Sequence, residues 1–193
     1  MLKKAFALYR SSFTGLSRET WLLSVVILIN RSGTMVLPFM TLYLTSKDVG
    51  RTLSEAGTVV GLWGLGAMIG AFFGGKLTDK IGFHKVQLIT LFGGGILFMV
   101  LGQMRSYPLI CLFTFLLSMV NEAFRPANAT AIAVYSKAEN RTRSNSLNRL
   151  AINLGWAFGV SVGGVIASYS SVSYTHLRAH ETKANLVCRL LLE

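Results

Sequence analysis

Apolar residues along this chain gather into long unbroken runs, not into the periodic stripes of a water-soluble helix. Residues 56–75, "AGTVVGLWGLGAMIGAFFGG", carry no charge, and neither do residues 86–104, "VQLITLFGGGILFMVLGQM". About twenty apolar residues, at 1.5 Å rise each, cross the hydrocarbon core of a bilayer as a helix. A helix in a soluble core is rarely this long and this apolar on every face. The pattern predicts five spanning helices, at roughly 21–44, 56–73, 86–104, 108–134 and 150–169. The connections between them are short, as in a helical bundle. The fold class expected is an all-α membrane protein.

Composition agrees. Of 193 residues, 52% are hydrophobic and 14% charged, against about 25% charged in an ordinary soluble domain. The net charge of +11 would suggest nucleic-acid binding in a soluble chain. Here the cations fall in short segments beside apolar runs, which is the pattern of membrane topology. With the N-terminus in the cytoplasm, Lys3, Lys4, Arg10, Arg18, Lys76, Lys80, Lys85, Lys137, Arg141, Arg143 and Arg149 are inside, and Lys47, Arg51 and Arg105 outside. Eleven against three sets the orientation by the positive-inside rule. The basic, amphipathic start "MLKKAFALYRSSFTGLSRET" lacks the short apolar core and small-residue cleavage site of a signal peptide. Two cysteines, Cys111 and Cys188, make no disulfide framework.

Glycines mark packing faces. Gly66, Gly70 and Gly74 recur every four residues in the second run, a spacing that lets helix backbones approach closely. A phosphate-cradling loop would need a strand before the glycines and a helix after them in water, and this chain offers neither. Charges inside the spans are fewer and more pointed. Arg31 lies within the first span, after Asn30 and ahead of Pro38; Glu122 and Arg125 lie in the fourth, followed by Pro126. Spaced i, i+3, Glu122 and Arg125 share a helix face. An arginine at a span's centre costs about 2.5–3.5 kcal/mol on insertion scales, so such groups are expected to face a cavity or a partner. Arg31, Glu122, Arg125 and Asn30 are therefore the candidate substrate or proton-coupling residues. A static ion pair that only joins two helices is the alternative.

Between the second and third runs stands "GGKLTDKIGFHK", residues 74–85. It resembles the loop signature of the major facilitator superfamily, G-x-L-a-D-[RK]-x-G-[RK]-[RK]-[RK]. Gly75, Leu77, Asp79, Lys80, Gly82 and Lys85 match; Thr78 stands for a usual alanine and Phe83 for a usual cation. The resemblance implies that Gly75, Asp79, Lys80, Gly82 and Lys85 form a conformational latch between two halves of the transporter, with Gly75 allowing close helix contact and Gly82 a tight turn. "GWAFGVSVGG" in the fifth span resembles the G-x-x-x-G-P-x-x-G-G motif of the superfamily's proton-driven exporters through Gly155, Gly159, Gly163 and Gly164, with Val160 where proline is usual. The segment before it, "SKAENRTRSNSLNRLAINLG", resembles the connection from the fourth to the fifth span in multidrug exporters of the superfamily.

The resemblance covers residues 1 to about 171. It implies five transmembrane helices of an N-terminal six-helix half, with span six and the whole second half missing. It implies a secondary transporter that exports drugs or small metabolites in exchange for protons by alternating access. The setting implied is a bacterial inner membrane, the partners a small-molecule substrate, protons and the absent C-terminal half, with no cofactor. A sugar or organic-anion uniporter or symporter and a non-transporting membrane scaffold or receptor are the rival readings. An enzyme would need a nucleophile–base set or a metal cluster inside the spans, and none is legible.

Residues 172–193 have a different texture. His176 and His180, at i and i+4, suggest a metal site, but "VSYTHLRAHET" at 172–182 and "LVCRLLLE" at 186–193 each resemble one end of a translated sequencing adapter. They lie in one frame, with index-sized spacing between them. The expectation is that the native segment stops near Ser171 and that the tail is excluded from fold and metal-site reasoning.

Overall fold

A computed structural model of the chain describes the backbone of residues 14–33, 36–46 and 49–190, and the side chains of residues 14–33, 39–46 and 49–165. Lys3, Lys4, Arg10 and Lys47, four of the cations used above to orient the chain, lie outside the described residues, as does most of the amphipathic start. The elements in order are α1 (Arg18–Gly33), α2 (Val36–Leu44), α3 (Leu53–Ile81), α4 (Phe83–Gln103), α5 (Tyr107–Tyr135), a 3₁₀ turn (Ala138–Asn140) and α6 (Arg141–Leu190). Among the described residues there is no strand. By length and composition, α3, α4 and α5 can each cross a membrane.

Two boundaries correct the sequence reading. The first span is described as α1 and α2, on either side of residues 34–35, which lie outside the described residues, and Pro38 belongs to α2. The segment read as a cytoplasmic loop is almost wholly helical: α3 runs on to Ile81, Gly82 alone makes the turn, and α4 begins at Phe83. Lysine and leucine are good helix formers, so charge by itself ends no helix. What ends this one is Gly82, at φ 86°, a conformation that only glycine adopts at no steric cost. The polar stretch ahead of the fifth span is likewise helical from Arg141, and the helix continues to Leu190.

Helix starts follow local chemistry. Thr52 caps α3: its Oγ1 accepts the Glu55 N–H at 3.2 Å, while its own N–H donates to Glu55 Oε2 at 2.9 Å. This reciprocal box satisfies two donors that a helix start otherwise leaves open. Ser106 precedes α5, with Pro108 in its first turn, where proline's fixed φ suits helix entry.

The glycine repeat of α3 packs where it was expected to. Gly66, Gly70 and Gly74 are buried against the backbone of Phe115, Met119 and Ala123 of α5. Both series advance by four residues, so α3 and α5 run parallel. Gly155 against Leu28, and Gly159 against Ser32, make α6 and α1 parallel in the same way. In contrast, α1 and α5 are antiparallel: Ser17 donates to the Tyr135 carbonyl at one end, and Arg31 meets Glu122 at the other. His84 beside Tyr135, and Gly94 beside Asn121, make α4 antiparallel to α5. Direction therefore alternates through α1, α3, α4, α5 and α6, as successive membrane crossings require. The outer faces are apolar: Phe72, Met68, Phe92, Leu88, Ile29 and Phe158 are all exposed.

Candidate functional site

The charged residues of the first and fourth spans meet at the midpoint of the bundle. Arg31 lies in the last turn of α1, and Glu122 near the middle of the 29-residue α5. Arg31 Nη1 donates to Glu122 Oε1 at 2.8 Å, and both residues are only 7% exposed. One turn further along α5, Arg125 Nη1 donates to Glu122 Oε2 at 3.2 Å. One carboxylate thus accepts from two guanidinium groups, each through its own oxygen. Buried charge of this kind is tolerable only when paired and hydrogen-bonded. Pro126, inside α5, has no N–H to give the Glu122 carbonyl, which removes one rung of the helix beside the site.

Beside the ion pair runs a second clasp. Asn30 Nδ2 donates to Asn121 Oδ1 at 3.2 Å. This pair lines a cleft of about 440 Å³ between α1, α4 and α5, with Thr90, Gly94, Leu117 and Phe98 among its walls. Asn30 and Asn121 line this cleft, whereas Arg31 and Glu122 face each other, the partner alternative among the two expected for buried charge, and are not among its lining residues.

Sequence reasoning missed Asn121. Its signal is a repeated dipeptide: "NR" at 30–31 and "NE" at 121–122 place an asparagine before each member of the ion pair. Asn128, which bonds Asn148 of α6 at 3.0 Å, was missed too. It has no comparable signal.

The glycines of α6 set the position of Arg31. A Cβ at Gly155 would lie 3.0 Å from Arg31 Cβ and 2.6 Å from the Leu28 carbonyl oxygen, so only a bare backbone lets α1 sit this close to α6. Gly159 makes the same approach to Ser32, Gly163 is buried, and Gly164 faces open space. The motif residues of α6 and the arginine of α1, read separately in the sequence, form one packing unit.

The residues of the 74–85 signature disperse. Asp79 is exposed near the end of α3, and among the described residues it makes no hydrogen bond or ion pair. Lys80 is in the last turn of α3 and Lys85 is exposed at the start of α4. Gly82 makes the turn expected of it. Among the described residues Gly75 has no close helix neighbour: a Cβ there would meet nothing within 4 Å. The reason is helical phase, because Gly75 lies about 100° round the helix from Gly74, and Gly74 makes the approach to Ala123. Among the described residues, no group of three or more His, Cys, Asp or Glu could hold a metal. His176 and His180 have no described side chains.

The sequence is similar to those of known transporters. The chain is 25% identical over 155 residues to an uncharacterized MFS-type transporter, YqjV, of Bacillus subtilis, covering 80% of this chain and 38% of the relative. It is 28% identical over 152 residues to a multi-drug resistance efflux pump PmrA homolog of Lactococcus lactis, covering 78% and 38% respectively. It is 27% identical over 136 residues to the quinolone resistance protein NorA of Staphylococcus aureus, covering 70% and 34%. The chain therefore spans well under half the length of these relatives. No solved structure matches it. The profile of the Major Facilitator Superfamily matches residues 20–177, which is most of the chain, and the chain belongs to that superfamily.

Proposed function

We propose that this chain is part of a secondary transporter that exports drugs or small metabolites in exchange for protons, by alternating access. One observation carries the reading: a buried carboxylate at mid-span, Glu122, is shared by Arg31 and Arg125, which lie on two different helices. Ionisable groups at this depth are costly and usually mark a substrate or proton path. A carboxylate held by arginines in one state can release Arg31, and exchange a proton, when α1 and α5 move apart, while Arg125 stays beside it on α5. Two relatives named as a multi-drug efflux pump homolog and a quinolone resistance protein support export.

The remaining parts have roles in that cycle. Asp79, exposed and free at the end of α3, is the latch residue, and its partner belongs to the second half. Lys80, Gly82 and Lys85 shape the same corner. The cation distribution supports a cytoplasmic N-terminus, and the bacterial organisms of the relatives support an inner-membrane setting. Residues 172–193 are adapter-derived, and the 193 residues alone do not transport, because alternating access requires a second half rocking around a shared midplane site.

The test is flux in liposomes containing the complete protein. An imposed pH gradient should drive movement of a radiolabelled quinolone, the compound class in the name of one relative, and Glu122→Gln should abolish the coupling. Quinolone flux that ignores the gradient would remove the antiport reading and favour the uniporter. The excess of positive charge in the cluster gives that rival its support, since a facilitator for organic anions would need it.

A further inference from the structure

The mid-span cluster is unbalanced. Among the described side chains it holds two guanidinium groups and one carboxylate, one formal positive charge more than negative. The two arginines are not equivalent. Arg31 and Glu122 face each other at 2.8 Å, with side chains 8% and 10% exposed. Arg125 touches the other carboxylate oxygen at 3.2 Å, yet 68% of its side chain is exposed. Glu122 thus holds Arg125 by one nitrogen and leaves most of its five-donor fork open. The acidic residues with described side chains are Glu19, Glu55, Asp79, Glu122 and Glu139. Glu122 is the one among them at the middle of a span, and two arginines already occupy it. At mid-span, among the described side chains, this half offers a cationic substrate no open carboxylate, and it offers an anion an open guanidinium.

We infer that Arg125 is the docking group for a carboxylate on the transported molecule, and that Arg31 is the positioning residue that neutralises and fixes Glu122. The inference rests on the transporter reading above and adds the substrate class: an amphipathic organic acid or a zwitterion that presents its carboxylate to this half. Three physical points support the division of roles. A guanidinium fork matches a carboxylate through two parallel N–H···O bonds, and a fork already pre-set by one partner loses less freedom on making the next. At a side chain 68% exposed the Coulombic attraction is modest, so the geometric match of the fork carries the preference. Glu122 is fully engaged with Arg31 on its other oxygen, so it steers Arg125 without competing for its whole fork.

The experiment uses the complete transporter in nanodiscs at neutral pH, with radiolabelled 2-naphthoate and 2-naphthamide, which have the same apolar body with and without the charge. Wild type is expected to bind the carboxylate at least tenfold more tightly than the amide. Arg125→Gln is expected to weaken naphthoate binding at least tenfold more than naphthamide binding, and Arg125→Lys, which keeps the charge but not the fork, to fall between. Equal affinity of wild type for the two molecules would overturn the inference, and is the result expected if a carboxylate of the second half occupies Arg125 instead. A carboxylate preference that survives unchanged in Arg125→Gln or in Arg125→Lys would also overturn it. Gradient-driven flux of a radiolabelled quinolone, measured separately on wild type, reports on the transporter reading: flux with equal naphthoate and naphthamide affinity overturns the inference alone, and a carboxylate preference without flux overturns the transporter reading alone.

Discussion

Gly74 lies so close to Ala123 that a side chain on it would collide with backbone: its Cβ would stand 2.5 Å from the Ala123 Cα. Gly75, one residue on, faces open space. The neighbouring glycines therefore have opposite tolerances. Gly74→Val should force α3 and α5 apart and cost about 1–3 kcal/mol, as overpacking does. Gly75→Ala should be neutral, or stabilising by up to about 1 kcal/mol through helix propensity. Thermal unfolding of the two purified variants decides the matter; equal melting temperatures would show that the close approach is dispensable.

Breaking the Arg31–Glu122 pair should be worse than removing it. Glu122→Gln takes the carboxylate from the buried Arg31, a change that costs about 3–5 kcal/mol when one partner of a buried pair is lost, and Arg31→Gln should cost less, because Glu122 keeps its bond to Arg125. The double variant should recover part of the loss, because residues in direct contact are not additive. A double-mutant cycle on thermal stability measures the coupling, and simple additivity would mean the two side chains do not depend on each other.

Orientation is testable at two described turns. With the native cysteines replaced, a cysteine at Lys80 should react with an impermeant maleimide only from the cytoplasmic side, and one at Arg105 only from outside. Labelling of position 80 from outside in intact cells would reverse the topology.

Asp79 is exposed and, among the described residues, has no partner. Asp79→Asn should leave the melting temperature unchanged while slowing transport by the complete protein at least tenfold. Wild-type turnover in that variant would remove the latch role.

Truncation after Ser171 should leave folding and topology unaltered, and neither the full 193 residues nor the truncated chain should show saturable flux in liposomes. Flux that needs residues 172–193 would refute their adapter origin.

The sequence by itself determined the class of the molecule and the positions of its crossings. Long uncharged runs can satisfy their backbone in lipid only as helices, so the middle three spans are legible without any structure. The spacing of Gly66, Gly70 and Gly74 likewise announced a packing face, because helical period alone places them on one side. The motif residues identified the superfamily through matches no composition could supply. What the sequence could not fix was where helices stop and what meets what. Charge at residues 76–85 looked like a loop, yet lysine and leucine propagate a helix, and only the positive φ at Gly82 breaks it. Arg31 and Glu122 are 91 residues apart, and nothing local shows that they share a bond rather than an open cavity. That was decided by tertiary packing: Gly155 lets α1 approach α6, and α1 then delivers Arg31 and Asn30 to Glu122 and Asn121. The same packing buries Arg31 and leaves Arg125 open, a distinction that exists only once three helices have set the solvent exposure of two otherwise identical side chains.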